Sequence, residues 1–110
     1  MWETLVRLTP RPLVTRSWRV CNLEGALNAA TAHAMIALTK PQLDDVFLNL
    51  GCGSGTLLIE RLAHSSCRLA FGIDNDAANL RCARANIDAS GHTESVKLSL
   101  ADMTTLPLLP

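Results

Sequence analysis

The chain has 110 residues, 48% of them apolar and 18% charged, with ten basic and ten acidic side chains. That length supports one domain with one core, and that composition excludes a disordered chain. No apolar stretch approaches the roughly 20 residues of a membrane span, and Glu3, Arg7 and Pro10 interrupt the N-terminal stretch where a signal peptide would need an unbroken core, so a cytoplasmic protein with no membrane partner is expected.

The charge is polarised. Residues 1–20 hold Arg7, Arg11, Arg16 and Arg19 against Glu3, leaving the remainder acidic. Two runs rich in β-forming residues, 2–8 and 13–20, flank Thr9-Pro10-Arg11-Pro12, so residues 1–20 read as a hairpin or an extended arm ahead of a domain over 21–110. Its arginines could face RNA phosphates or form a solvated face. Next, Asn28 is placed to cap a helix over residues 29–39, with Ala32, Met35, Ile36 and Thr39 on one face and Pro41 ending it.

Residues 46–50 form an apolar run with one polar interruption, Asn49, as expected for a parallel strand covered on both faces. Glycines follow at 51, 53 and 55, and then Leu57, Leu58, Arg61 and Leu62 fall on one stripe of a helix beginning near Ser54 or Gly55. A strand, tight turn and helix N-terminus in this order is where open α/β sheets bind nucleotide-like ligands. A dinucleotide loop would need its third glycine at 56 or 58, where the chain has Thr56 and Leu58. A phosphate-cradling loop would need a lysine, and none lies between Lys40 and Lys97. An adenosine ligand without phosphates remains, and S-adenosylmethionine fits.

A second strand, residues 68–73, ends in Asp74, 19 residues after Gly55. A carboxylate there can accept hydrogen bonds from both ribose hydroxyls, which are adjacent donors. Asp76 is the better cap for the helix that follows, which carries Ala77, Leu80, Cys82, Ala83 and Ile87 and stops at Gly91. A third strand covers residues 96–100. Cys21, Cys52, Cys67 and Cys82, spaced 31, 15 and 15 apart, make neither a zinc knuckle nor a dense disulfide framework, so reduced thiols are expected. No histidine is placed to activate Cys52, and His33, His64 and His92 lack metal-ligand spacing, so no catalytic or metal residue is assigned.

The segment Cys52-Gly53-Ser54-Gly55-Thr56 resembles the glycine-rich loop of class I S-adenosylmethionine-dependent methyltransferases. More narrowly it resembles the RNA methylases that often follow a THUMP domain, including tRNA guanine-N2 methyltransferases. Asn49, Leu50 and Gly51 depart from that pattern, which has Asp-Pro-hydrophobic before the cysteine. The resemblance implies that Asn49 lies near the methionine part of the cofactor, having lost the carboxylate that attracts its ammonium group. It further implies that Asp102, after the third strand, bonds the adenine amino group, with Met103 against the ring. Trp18-Arg19-Val20 and Gly25-Ala26-Leu27-Asn28 resemble the segment that lies over the cofactor in those enzymes. The expected cofactor-binding set is therefore Asn49, Gly51, Cys52, Gly53, Ser54, Gly55, Thr56, Asp74, Asn75, Asp102 and Met103.

These enzymes place an Asn/Asp-Pro-Pro-aromatic motif after their fourth strand, and the sequence contains none. The expectation is thus an incomplete Rossmann-like methyltransferase domain with a parallel sheet of order 3-2-1 and flanking helices. It would serve S-adenosylmethionine binding within an RNA methyltransferase acting on a tRNA or rRNA base, the chain alone being non-catalytic. The strand at 46–50 would become an exposed edge prone to self-association. The alternatives are a nucleotide-binding oxidoreductase-type Rossmann domain and a non-catalytic binding or scaffold module.

Overall fold

The computed structural model describes residues 2–6, 8 and 10–106. Within it the chain order is α1 (Ala29–Leu38), β1 (Val46–Leu50), α2 (Thr56–His64), β2 (Leu69–Asp74), α3 (Ala77–Ser90), a single 3-10 turn (Thr93–Ser95) and β3 (Val96–Leu100). The strands form one parallel sheet with β2 central. This is the expected 3-2-1 order, and it follows from two strand-helix-strand crossovers laid side by side.

Each helix starts and stops where the sequence provides the chemistry. The Asn28 side chain accepts from the Thr31 N–H, and the Asp76 side chain accepts from the Ala78 N–H. Gly91, at φ 81°, ends α3 by taking the left-handed conformation that other residues resist. Arg61, grouped with the apolar stripe of α2 in the sequence, is buried and fully engaged. Its guanidinium donates to Ser65 O at 2.6 Å and to Gln42 O at 2.8 Å and lies 3.4 Å from the Asp45 carboxylate. It therefore ties the loop entering β1 to the loop entering β2.

The parallel register aligns Phe47 and Asn49 with Ala70 and Gly72, and these in turn with Val96 and Leu98. Helices α2 and α3 pack on that face, building a core from Leu58, Ile59, Ala70, Ala83, Ile87 and Val96, joined by Trp18. Gly72 is required by this close approach. A Cβ there would sit 2.6 Å from Leu58 Cδ1 and 2.8 Å from Leu98 Cδ2. The other face corrects one expectation. Val46, Leu48 and Leu50 are 60%, 40% and 40% exposed, so β1 is covered on one face, not both, because its helical neighbours share the opposite side.

Residues 10–28 form no strand. The prolines do set a turn, with Thr15 N–H donating to Pro12 O at 2.9 Å, and the chain then runs as an irregular strap across α2 and α3. A hairpin would have left residues 13–20 exposed, whereas Trp18 is buried in the core. Of the four N-terminal arginines, Arg16 pairs with the buried Glu60 at 2.7 Å and Arg19 turns inward, so neither presents its charge outward as an RNA-facing arm would. Arg7 lies outside the described residues, as do residues 107–110. The cysteines are a second correction. Cys21 on the strap and Cys82 on α3 form a disulfide with Cα atoms 5.4 Å apart, while Cys52 and Cys67 are free thiols. The spacing concealed this pair because the strap crosses α3 only in three dimensions. Among the described residues, no helix is long and apolar enough to cross a membrane.

Candidate functional site

The carboxyl ends of the three strands converge on the glycine turn. The Gly51 and Cys52 N–H groups both donate to Ile73 O, at 2.7 and 2.9 Å, and Gly55 N–H closes the turn on Cys52 O at 2.9 Å. Gly53 and Gly55 hold φ of 53° and 85°, a region that side chains strain to enter. A Cβ on Gly51 or Gly53 would meet nothing within 4 Å, so both open onto free space. Gly55 differs, because its Cα faces Ala83, with a Cβ position 3.4 Å from the Ala83 methyl. It serves helix packing and does not line a cavity.

Two cavities meet at Gly51. The larger, about 540 Å³, is bounded by residues 23–27 of the strap, by Asn49 and the turn, and by Thr56 and Leu57 of α2. The smaller, about 300 Å³, lies between Gly51, Asp74, Asn75, Asp102 and Met103. Every residue expected at the cofactor except Gly55 therefore lines one cavity or the other, and the strap forms the wall that its sequence suggested. Both volumes fall within the range of small-molecule sites.

Asp74 has a further duty that the sequence did not reveal. Its Oδ2 accepts the Gly53 N–H at 2.9 Å, and its Oδ1 accepts from Asp76 N–H at 2.9 Å and Asn79 Nδ2 at 3.3 Å. The carboxylate braces the glycine turn against the start of α3. Since a carboxylate offers about four lone-pair positions, one still remains for a ligand donor. Asp102 Oδ1 takes both the N–H and the hydroxyl of Thr104, at 2.8 and 2.7 Å, and these bonds hold its pKa below the usual value. Cys52 is disfavoured as a nucleophile. Burial, reinforced by the nearby Asp74 charge, pushes its thiol up to about 11, so it stays protonated near neutrality.

Two functional-site residues escaped sequence reasoning. Asn86, fully buried on α3, accepts from the Val20 and Cys21 N–H groups at 2.9 Å each and donates to Cys21 O and Ser54 O at 2.9 and 3.0 Å. It fastens the strap and the glycine turn to one helix. Its position beside the buried Cys82, Ala83 and Ile87 was the available signal, because an amide on a buried stripe requires partners. The other is Arg19, whose guanidinium stacks 4.7 Å over Trp18 and donates to Leu27 O at 3.1 Å, Thr56 Oγ1 at 3.0 Å and Ser54 Oγ at 3.4 Å. Its segment was marked by resemblance, but its direction was not.

A stretch of 59 residues is 32% identical to a protein-lysine N-methyltransferase of Saccharolobus islandicus strain REY15A, covering 54% of this chain and 37% of that protein. Among solved structures, YjhP from E. coli aligns with a TM-score of 0.57 at 21% identity, over 63% of this chain and 28% of that one, a likeness of fold. The chain thus spans well under half the length of either. Residues 16–110 match the model of the RMKL-like methyltransferase domain, from the strap through all three strand ends. The chain belongs to that methyltransferase domain family.

Proposed function

We propose that the paired cavities bind S-adenosylmethionine, with adenosine in the smaller and the methionine part in the larger, as the methyl-donor-binding part of an RNA methyltransferase. The observation that carries this reading is the meeting of the two cavities at Gly51, where the missing side chain lets one elongated ligand pass across the turn. Asp74, with one acceptor position left beyond its brace, and Asp102 supply acceptors on the adenosine side, suited to one ribose hydroxyl and an amino group. Asn49 stands on the other side, 9% exposed, its amide without a hydrogen-bond partner among the described residues. Among the described residues no side-chain polar atom that is itself buried lacks a partner, so this amide opens into the cavity, where it is free to bond the amino-acid end of the cofactor.

When bound, the cofactor supplies an electrophilic methyl on sulfur for transfer to a nucleophilic nitrogen. The chain's own residues bind and orient. The Asp74 brace fixes the Gly53 backbone, the strap covers the amino-acid end, and Cys52 stays a neutral thiol that does not compete for the methyl. Fixing the sulfonium relative to an incoming nucleophile is worth orders of magnitude in rate. RNA as acceptor rests on the resemblance of the loop and strap. Protein lysine is the second reading, favoured by the name of the curated relative.

Calorimetric titration with S-adenosylmethionine, S-adenosylhomocysteine and NAD tests the ligand, with the first two expected to bind and NAD to bind more weakly. Tighter binding of NAD would overturn the reading. Because the chain alone is expected to transfer no methyl group, binding of the cofactor-loaded chain to bulk RNA and to lysine-bearing protein separates the acceptors, retention of RNA supporting the first reading and retention of protein alone the second.

A further inference from the structure

Arg19 is unusual among the buried or half-buried cations of this chain. Arg16 faces Glu60 and Arg61 faces Asp45, whereas Arg19 has no carboxylate within ion-pair distance among the described residues. Its three hydrogen bonds go to neutral oxygens of Leu27, Ser54 and Thr56, and all three of those residues line the larger cavity. A positive charge thus stands directly behind the cavity wall, held flat by the Trp18 ring.

The hydroxyls transmit that charge. Because Ser54 Oγ and Thr56 Oγ1 each accept from Arg19, their own protons must point elsewhere. The two oxygens lie 3.2 Å apart, so one hydroxyl donates to the other, and the second proton is left to donate into the cavity. Hydrogen bonds in such a chain polarise one another and strengthen the terminal donor. The same cavity receives the start of α2, which no side chain caps, and the unpartnered amide of the nine-tenths buried Asn49. Cation, polarised hydroxyl and helix N-terminus all favour an anion, while the Asn49 amide can accept from an ammonium as well as donate.

We propose that Arg19, acting through the Ser54 and Thr56 hydroxyls, selects the α-carboxylate of the cofactor's amino-acid end. Arg19 is then a positioning and specificity residue, and a hydroxyl of the Ser54 and Thr56 pair is the contact. This rests on the S-adenosylmethionine reading and goes beyond it by naming the group recognised and the residue that recognises it.

The test compares S-adenosylmethionine with its decarboxylated analogue, which keeps the adenosine, sulfonium and amine and lacks only the carboxylate. Calorimetry on the wild-type chain is expected to show at least about tenfold preference for the carboxylate form, the scale of one charge-assisted hydrogen bond. Arg19→Gln is expected to bring the two ligands within about threefold, and Arg19→Lys, which keeps the charge, to preserve most of the preference. Thr56→Val, removing one hydroxyl at nearly constant volume, serves as a second arm should the Arg19 variants misfold, and it is expected to shrink the preference. A wild-type chain that binds both ligands equally, or an Arg19→Gln chain that keeps the full preference, overturns this proposal while leaving the cofactor reading intact. Failure of the wild-type chain to bind either ligand overturns both.

Discussion

The two faces of the sheet have opposite characters. On one, Ala70, Gly72 and Val96 meet Leu58, Ile59, Ala83 and Ile87 with no room for an added methyl at position 72. On the other, Val46, Leu48 and Leu50 present an aliphatic row to solvent along an edge strand. The exposed row carries the larger aliphatic side chains, so composition does not determine burial here. The packed face determines where the glycine turn sits, and therefore where a ligand can enter. Among the described residues the outer edge of β1 has no strand partner, and we propose that this edge and the open face support self-association, which aliphatic edge strands favour unless charge, proline or a covering segment protects them.

The sharpest way to break this contrast is a matched truncation on each face. Leu58→Ala is expected to cost about 2–5 kcal/mol, the range for a buried leucine that leaves a cavity, whereas Leu48→Ala should stay within about 1 kcal/mol, as partly exposed positions do. Urea denaturation of both variants checks the pair, and equal losses would remove the distinction. Next in size is the strap. The Cys21–Cys82 disulfide closes a separation of 61 residues, so reducing it or making Cys21→Ser is expected to lower stability by about 2–4 kcal/mol. Mass spectrometry after alkylation, with and without reductant, checks that the bond forms, and denaturation in each state reads its effect.

At the site, Asp74→Ala is expected to weaken cofactor binding by about 1–3 kcal/mol, from the lost acceptor and from release of the Gly53 N–H. Calorimetry gives the affinity, and an amide-exchange measurement at Gly53 separates the brace from the ligand contact. On the open face, Leu48→Lys should change stability by no more than about 0.5 kcal/mol yet abolish concentration-dependent association in sedimentation. A wild-type chain that remains monomeric at all concentrations would remove the association proposal. The smallest effect concerns pH. The Cys52 pKa rises on folding from 9.0 to about 11, so the unfolded chain loses this proton first. The folded state is therefore favoured below pH 9 and loses that advantage as pH climbs toward 11. Cys52→Ser should flatten the stability profile across that window relative to wild type.

Much of this was legible in the sequence because the decisive signals are local. Strands 46–50 and 96–100 follow from apolar runs bounded by turns, the caps at Asn28 and Asp76 from their side chains, and the turn from glycines at alternate positions. The glycine turn and Asp74 were legible for the same reason, since parallel crossovers bring all strand ends to one edge, whereas Asn49, Asp102 and Met103 were placed only by the resemblance of the loop. What escaped was non-local. The Asn86 bonds span 65 and 66 residues to the strap and the disulfide spans 61, and no periodicity encodes a chain segment that returns across a helix. Arg19 shows the same limit, because its position in a basic stretch suggested an outward charge and only the burial of Trp18 turns it inward. The exposure of Leu48 depends likewise on which face the crossovers choose.

Amide chemical-shift mapping during titration with S-adenosylhomocysteine tests the central claim most directly, because it reports both cavities and the open face at once. The account predicts shifts at Gly51, Gly53, Ser54 and Thr56, at Asp74 and Asn75, and at Asp102 and Met103, with Leu48, Leu69 and Phe71 unmoved. Shifts confined to one cavity, or centred on the open face, would contradict a single ligand lying across Gly51.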